Sequence, residues 1–596
     1  MSPPAQVWAP CAAGIDFQLL DGQQVSLWRE QHNDEWAARL APGAVEHGTS
    51  YRLVVSTPDG RRLPRRDPYA RAADYETKWC HADHPGYLWT NHDWTPRPFD
   101  EIQIYELHIG SFTPEGTFAA AAARLGHVAG LGFTAVQVMP ITEHSDRWGY
   151  NPRQLMAVHG AYGEPDDFRA FVDAAHGLGM GVIVDVVLHH GAVDGNELWD
   201  WDGWEAMGNG GIYHEGSGDT EWGRGFAFWK REVRDMALEA CAVWLRDFHC
   251  DGLRFDSAND LPADVVQGLT FGLRERFPGR ILTAEVTPEN PQAVHELGFD
   301  SLWVHSGYFD IIQQHRALGR GHHGGGDWAE GWNLPRLRTV MGLHYGFTAP
   351  TQCVKYLLGS HDQCGCTHGG NHENYRMVGG RHRYATDQYG GGREDGGAAA
   401  AARLWYATNV GAAGLTMMFM GTEWNQTGWW DVTEERRLQW ALSEDDRGAE
   451  MMALVRDANH LRRRFPALRK GWANILHEDR PNGVLVFERV GEGMGRVVVL
   501  VNAGRRSWQA GEYGAWIGGG QLREVLCTQD ARYGGGDGWV SNGGRLIEAQ
   551  DGTMWVNVPG QCAMVFVDPF GLEQEASATP DGWVLGGEVA GPPGMA

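Results

Sequence analysis

From about residue 100 to about residue 430, short unbroken apolar runs alternate with amphipathic stretches of helical period. The runs are 102–109, 135–141, 182–188, 252–255, 281–286, 302–305, 354–358 and 415–420, and the stretches between them include 119–131, 165–178, 232–248 and 262–277. A strand that is apolar at every position is buried on both faces, and a helical crossover between successive strands makes them parallel. Eight such units predict a (β/α)8 barrel. A doubly wound open sheet is the alternative arrangement, and no GxGxxG follows the first run to support it.

The chain has 596 residues, more than the roughly 250–300 that one hydrophobic core serves. Before the barrel, 7–10, 15–20 and 51–55 read as short strands separated by turn clusters such as Pro58-Asp59-Gly60, and Trp94-Thr95-Pro96-Arg97-Pro98 reads as a linker. After it, 484–489, 496–502 and 563–567 are strand-like, with Gly-rich turns between them. The expected fold class is therefore multidomain α/β: a (β/α)8 barrel over 99–470, flanked by an N-terminal β-sandwich over 1–98 and a C-terminal β-sandwich over 471–570. The Gly/Pro/Glu-rich end, 571–596, is expected to be a flexible tail. Between the third and fourth runs lies a long Gly-, Trp- and acid-rich loop, about 190–228, of the kind that usually carries function.

A net charge of −26 repels the phosphates of nucleic acid and of anionic lipid, so neither is an expected partner. The basic run from Arg462-Arg463-Arg464 to Arg469-Lys470 reads as a solvated helix end. No apolar run reaches the ~20 residues that span a bilayer. Met1-Ser2-Pro3-Pro4-Ala5-Gln6 lacks the basic and apolar segments of a secretory signal, which points to a cytoplasmic protein. The nine cysteines form no CxxC pair and read as free thiols of a reducing compartment. The sequence holds no cofactor motif. No metal site is expected, and Gly321-His322-His323-Gly324 reads as a flexible loop. The expected ligand is neutral; the 27 Trp favour a sugar, whose C–H faces stack on aromatic rings. A monomer is expected.

Active sites of such barrels lie at the C-terminal ends of the strands. The polar residues there are Tyr150 past the second run, Asp185 and His190 at the third, Arg254 and Asp256 at the fourth, Glu285 at the fifth, and His361 and Asp362 at the seventh. Asp256, Glu285 and Asp362 thus converge on one mouth. That favours glycoside cleavage, in which one carboxylate attacks the anomeric carbon and a second, about 5–5.5 Å away, protonates the leaving oxygen. Arg254, two residues before Asp256 on the same strand face, is expected to keep Asp256 ionised. Glu285, in Thr283-Ala284-Glu285-Val286, has no fixed cation nearby in sequence, and an apolar setting is expected to raise its pKa as a general acid requires.

These segments resemble the conserved regions of the α-amylase clan (glycoside hydrolase family 13). Asp185-Val186-Val187-Leu188-His189-His190 is similar to the first, Gly252-Leu253-Arg254-Phe255-Asp256 to the second, Thr283-Ala284-Glu285 to the third and Ser360-His361-Asp362-Gln363 to the fourth. The resemblance implies Asp256 as nucleophile, Glu285 as acid/base and Asp362 as the acid that binds hydroxyls of the distorted sugar. It implies contacts to that sugar or to the acids from His190, His361, Arg254 and Asp185. It also implies a stacking platform at Tyr150, in Trp148-Gly149-Tyr150-Asn151-Pro152, with Trp148 counted among the substrate-binding residues.

Within the clan, Val7-Trp8-Ala9-Pro10 resembles the starch-binding-like sandwich of branching enzymes, debranching enzymes and trehalohydrolases. Phe419-Met420-Gly421-Thr422-Glu423-Trp424, His477-Glu478-Asp479 and Tyr533-Gly534-Gly535-Gly536 resemble segments of branching enzymes. The resemblance thus implies α-1,4-glucan cleavage and transfer to a 6-hydroxyl of an amylose-, glycogen- or starch-like polymer. The alternatives are a trehalohydrolase or other α-glucan hydrolase, and a glucan-binding scaffold. Two departures stand out. His189 replaces an Asn that binds calcium in many amylases, which argues against a calcium requirement, and Val286 replaces an acid.

Overall fold

The computed structural model describes residues 5–578, except 31, 39, 41–44, 84–85, 221, 309, 312–333, 344–345, 366–382 and 537–541. Residues 321–324 lie outside the described residues. The eight apolar runs form a closed parallel barrel. Its strands are Gln103–Leu107, Ala135–Val138, Gly181–Val186, Gly252–Phe255, Ile281–Ala284, Ser301–Trp303, Cys353–Lys355 and Leu415–Phe419. Closure is direct, with Glu106 of the first strand opposite Phe419 of the eighth. Most strands end before their apolar run does, and the residues left over leave the ladder as loops over the mouth.

The outer helices follow the amphipathic stretches closely. Phe118–Gly130 starts where the Thr117 side chain accepts from the Ala120 N–H, and it buries Phe118, Ala121, Leu125 and Val128, one stripe at three- and four-residue spacing. Pro165–Gly177 opens on Pro165, which needs no N–H in a first turn, and Asp167 reaches back to the Glu164 N–H. Arg231–Arg246 and Ala263–Arg276 complete the next two crossovers.

All-β sheets flank the barrel on both sides. The N-terminal part holds a three-stranded sheet and a six-stranded one built on the pair Gly14–Leu19 and Ser50–Ser56. The C-terminal part holds a six-stranded sheet that includes Trp472–Asp479, Val484–Val490, Val497–Asn502 and Cys562–Val567, beside a two-stranded ribbon. No helix among the described residues is long and apolar enough to cross a membrane.

The N-terminal part grips the barrel from two sides. Arg65 donates to the Trp201 carbonyl and Arg66 pairs with Glu197, both in the long loop after the third strand. Below the strands, Trp89 stacks on His249 at 4.0 Å, and Trp94 stacks on His176 while its Nε1 donates to Asp251. These two indoles are pegs in an interface, away from the mouth.

One expectation needs correction. Arg462 is buried, and its guanidinium donates to the carbonyls of Val410, Leu468 and Gly414. Arg469 pairs with Asp100 and Glu101. The basic run fastens the helix Asp446–Arg464 beneath the barrel, because the carbonyls at the C-terminal end of Gly396–Gly411 need donors and face it. The presumed tail begins as a helix, Pro569–Ala578, which Pro569 can open without a missing bond.

Arg489 ties the C-terminal sheet to the same helix end. It is fully buried and donates to the carbonyls of Gly411, Ala412 and Gly471. Arg489→Met fills similar space but leaves three buried carbonyls bare. The expected cost is about 3 kcal/mol or more, read as a lower Tm. A Tm equal to that of the parent chain would show that these bonds contribute nothing net.

Candidate active site

Strand side chains alternate between the barrel interior and the helical layer. Ile104, Ala135, Ile183, Ile281, Trp303, Val354, Leu415 and Met417 point inward and form one buried cluster. The same parity, carried toward the C-terminal ends, reaches Glu106, Asp185, Arg254, Asp256, Glu285, His305 and Tyr356. The interior is therefore apolar below and ionisable above, and the second layer is the site.

Arg254 is its hub. Its guanidinium is fully buried. One terminal nitrogen, Nη1, lies 2.7 Å from Asp185 Oδ2 and 2.6 Å from Asp256 Oδ1, and the other, Nη2, lies 2.5 Å from Glu285 Oε2. The register explains the reach: Arg254 stands opposite Asp185 on one side and Thr283 on the other, and its side chain is longer than the spacing between strands. Its face rests on Trp303, 4.3 Å from the ring centre. Side-chain exposure rises from none at Asp185 to 13% at Asp256, 18% at Glu285 and 38% at Asp362. The last three face the mouth.

The protonation setting of Glu285 differs from the sequence expectation. Burial works to raise its carboxyl, but the Arg254 guanidinium and the His305 ring outweigh burial and hold it well below the usual range. The cation was invisible in sequence because it arrives from the neighbouring strand. Asp185 behaves in the opposite way. Burial, helped by the nearby Asp256 and resisted by Arg254, pushes it up to about 7.

The second anchor is His361. Its Nδ1 lies 2.7 Å from Glu106 Oε1, its Nε2 lies 3.1 Å from Asp362 Oδ1, and its backbone N–H donates to Glu106 Oε2. Burial disfavours charge on this ring, yet Asp362 and Glu106 carry its pKa well above the ordinary value, and the charged ring in turn holds Asp362 low against burial. Glu106 was not singled out from sequence, although its parity marks it as inward-facing.

Tyr150 donates to Asp185 Oδ2 at 2.8 Å and stacks on His361 at 5.1 Å. It is delivered by a tight turn in which the Asp146 carboxylate accepts from the N–H groups of Trp148, Gly149, Tyr150 and Asn151. Gly149 has φ +100°, and a Cβ there would lie 2.5 Å from the Pro140 oxygen, so only glycine fits. Trp148 packs on Trp430 with its edge toward His361. His190 meets Asn151 Oδ1 at 3.1 Å, and burial together with His189 lowers its pKa to about 3, so it is a neutral ring.

Four further contacts emerge from the structure. His189, at the family's Asn position, lies 3.1 Å from Asp256 Oδ2 and meets the edge of Trp222, which is half exposed. His305 lies 3.2 Å from Glu285 Oε1 and is backed by the Tyr356 hydroxyl at 2.7 Å. Three carboxylates around one open mouth, two of them on a single guanidinium, can supply a nucleophile, a proton donor and a hydroxyl-binding acid.

Residues 81–200 match the alpha amylase catalytic domain, and residues 472–567 match the alpha amylase C-terminal all-beta domain. Over these two segments the chain matches the α-amylase family. These matches and the relatives named below support a glucan-active, retaining enzyme. Among curated members, a protein of Xanthomonas campestris named 1,4-alpha-glucan branching enzyme GlgB 2 is 28% identical over 92% of this chain and 77% of its own length. A Marinobacter nauticus protein named 1,4-alpha-glucan branching enzyme GlgB is 27% identical over 96% and 93%. Among solved structures, a putative alpha amylase from Salmonella typhimurium superposes with a TM-score of 0.71 at 22% identity, covering 94% of this chain and 97% of that one. A Group B Streptococcus pullulanase in complex with maltotetraose superposes with a TM-score of 0.73 at 17% identity, covering 95% and 86%. Both likenesses are of fold.

Proposed function

We propose that the chain is a 1,4-α-glucan branching enzyme acting by retaining double displacement. The observation that carries retaining chemistry is the tethering of Asp256 and Glu285 to the two ends of one guanidinium. The likeness to family members named as branching enzymes, along more than nine tenths of this chain, supports the choice of acceptor. Glu285 protonates the α-1,4 oxygen while Asp256 Oδ attacks C1 from the opposite face, giving a β-linked glycosyl ester. Asp362 binds hydroxyls of the distorted sugar. Arg254 and His189 hold Asp256, and the Glu106–His361 pair fixes Asp362. Glu285, now a base, takes the proton of a glucan 6-hydroxyl, whose oxygen displaces Asp256 and forms an α-1,6 branch. The substrate is a neutral α-glucan polymer, and Tyr150 and Trp148 wall the sugar site. The protein is proposed to act as a cytoplasmic monomer without a cofactor.

The test is an incubation with amylose that follows iodine colour and free reducing ends, with the ends counted again after a debranching enzyme. Loss of colour with flat reducing ends that rise only on debranching is expected. Reducing ends that rise with the loss of colour would make the chain a hydrolase. In that case maltooligosyl-trehalose would be the next substrate to try.

A further inference from the structure

Each of the three mouth carboxylates carries its own histidine. His189 lies 3.1 Å from Asp256, His361 3.1 Å from Asp362 and His305 3.2 Å from Glu285. His361 is braced from behind by Glu106, whereas His305 is backed by a neutral group, Tyr356. That difference matters for the one carboxylate that must alternate between acid and base.

We propose that His305 is a positioning residue that stores the working proton of Glu285 and returns it in every cycle. This role presupposes that Glu285 is the acid/base.

In the free enzyme Glu285 Oε2 accepts from Arg254 Nη2, and His305 Nε2 lies 3.2 Å from Oε1 with no other hydrogen-bond partner among the described residues. Both contacts favour the carboxylate, yet a general acid needs a proton. Arg254 cannot give one, because guanidinium does not deprotonate in proteins. His305 can. Its Nε2–H bond breaks as an O–H bond forms at Glu285 Oε1, and the imidazolium–carboxylate pair becomes an imidazole–carboxylic acid pair with no change in total charge. Glu285 then passes that proton to the glycosidic oxygen as the C1–O bond breaks and Asp256 bonds to C1. In the second half-reaction Glu285 takes the proton of the acceptor hydroxyl and hands it back to Nε2. The proton count closes without solvent.

Tyr356 permits this exchange. Its buried hydroxyl lies 2.7 Å from His305 Nδ1 and can accept from Nδ1–H in both states of the ring. The surroundings favour a charged ring. Burial works against the charge, but Glu285, Asp362 and Glu289 outweigh it and lift the pKa above the ordinary value. The opposing cations in the same space are Arg254, over Trp303, and His361, whose ring centre lies 6.0 Å from that of Trp303.

The test compares pH profiles of kcat/KM for the parent chain and His305→Gln on two donors, amylose and α-maltotriosyl fluoride. Fluoride departs without a proton from Glu285, so only amylose reports the stored proton. On amylose the basic limb for His305→Gln is expected to move to lower pH by about one unit or more, because Glu285 must then hold the proton alone beside Arg254. On the fluoride the two limbs are expected to coincide. Tyr356→Phe, which leaves the Nδ1–H of the imidazolium without an acceptor, should displace the amylose limb in the same direction, and it serves if His305→Gln does not fold. An unmoved amylose limb, or an equal shift on both donors, overturns the role of His305. A parent chain that turns over neither donor removes the acid/base assignment of Glu285 and takes this role with it.

Discussion

Replacing Asp256 by Asn is expected to lower turnover of amylose by at least about four orders of magnitude while the chain keeps its fold. The amide has the shape of the carboxylate, and its oxygen can still accept from Arg254 Nη1, which now bonds Asp256 Oδ1. What it lacks is the negative oxygen that bonds to C1, and loss of a nucleophile removes the covalent route altogether. Two measurements separate this from a binding defect. The parent chain, acid-quenched during turnover of α-maltotriosyl fluoride, should carry a glycosyl mass increment on the segment that contains residue 256. D256N should carry none, while its affinity for maltooligosaccharides stays within a few-fold of the parent. A D256N chain that still branched amylose at a tenth of the parent rate would end the nucleophile assignment.

The second large effect is expected at Arg254, and it is a matter of stability as much as of rate. Arg254→Leu strands the buried Asp185 beside Asp256 and Glu285, all of which now contact the guanidinium. Removing one partner of a buried ionic cluster costs about 3–5 kcal/mol. The pH dependence carries the signature. In the parent chain Glu285 is held below its ordinary 4.5, so its pairing stabilises the fold above that pH and the benefit is lost as pH falls through the folded value. Without Arg254 the same carboxyl is buried with only the His305 ring to offset its charge, its folded pKa rises, and its ionisation no longer stabilises the fold as it does in the parent. Asp185, already pushed up to about 7, moves further in the same direction. The Tm gap between R254L and the parent should therefore be widest near pH 8 and narrow toward pH 5. A gap constant across that range would mean that Arg254 does not balance these acids.

The barrel was legible in the sequence because its strands are apolar on both faces. All eight runs proved to be strands, and the acids that follow them stand at one mouth because a parallel barrel leaves all its C-terminal ends together. What sequence could not supply was the partner from the next strand. Glu285 looked isolated in Thr283-Ala284-Glu285-Val286, yet Arg254 reaches it through a register in which Arg254 faces Thr283. Glu106 and His305 were passed over for another reason. Both sit inside or just beyond apolar runs, where a lone polar residue reads as incidental. Two-residue parity from Ile104 and Trp303 would have placed both in the interior. The basic run at 462–470 misled because linear charge says nothing about burial, and Arg462 is spent on carbonyls that no local pattern announces.

The guanidinium shared by Asp256 and Glu285 has one more consequence. Asp185, Arg254, Asp256 and Glu285 tie strands three to five into one arc, while Glu106 and His361 tie strand one to the segment after strand seven, which bears Asp362. Substitutions that open or narrow the cleft for longer or bulkier chains can shift these arcs relative to each other without changing the gap between Asp256 and Glu285. Substrate preference is thereby free to drift during evolution, while the stereochemical outcome at the anomeric carbon stays locked.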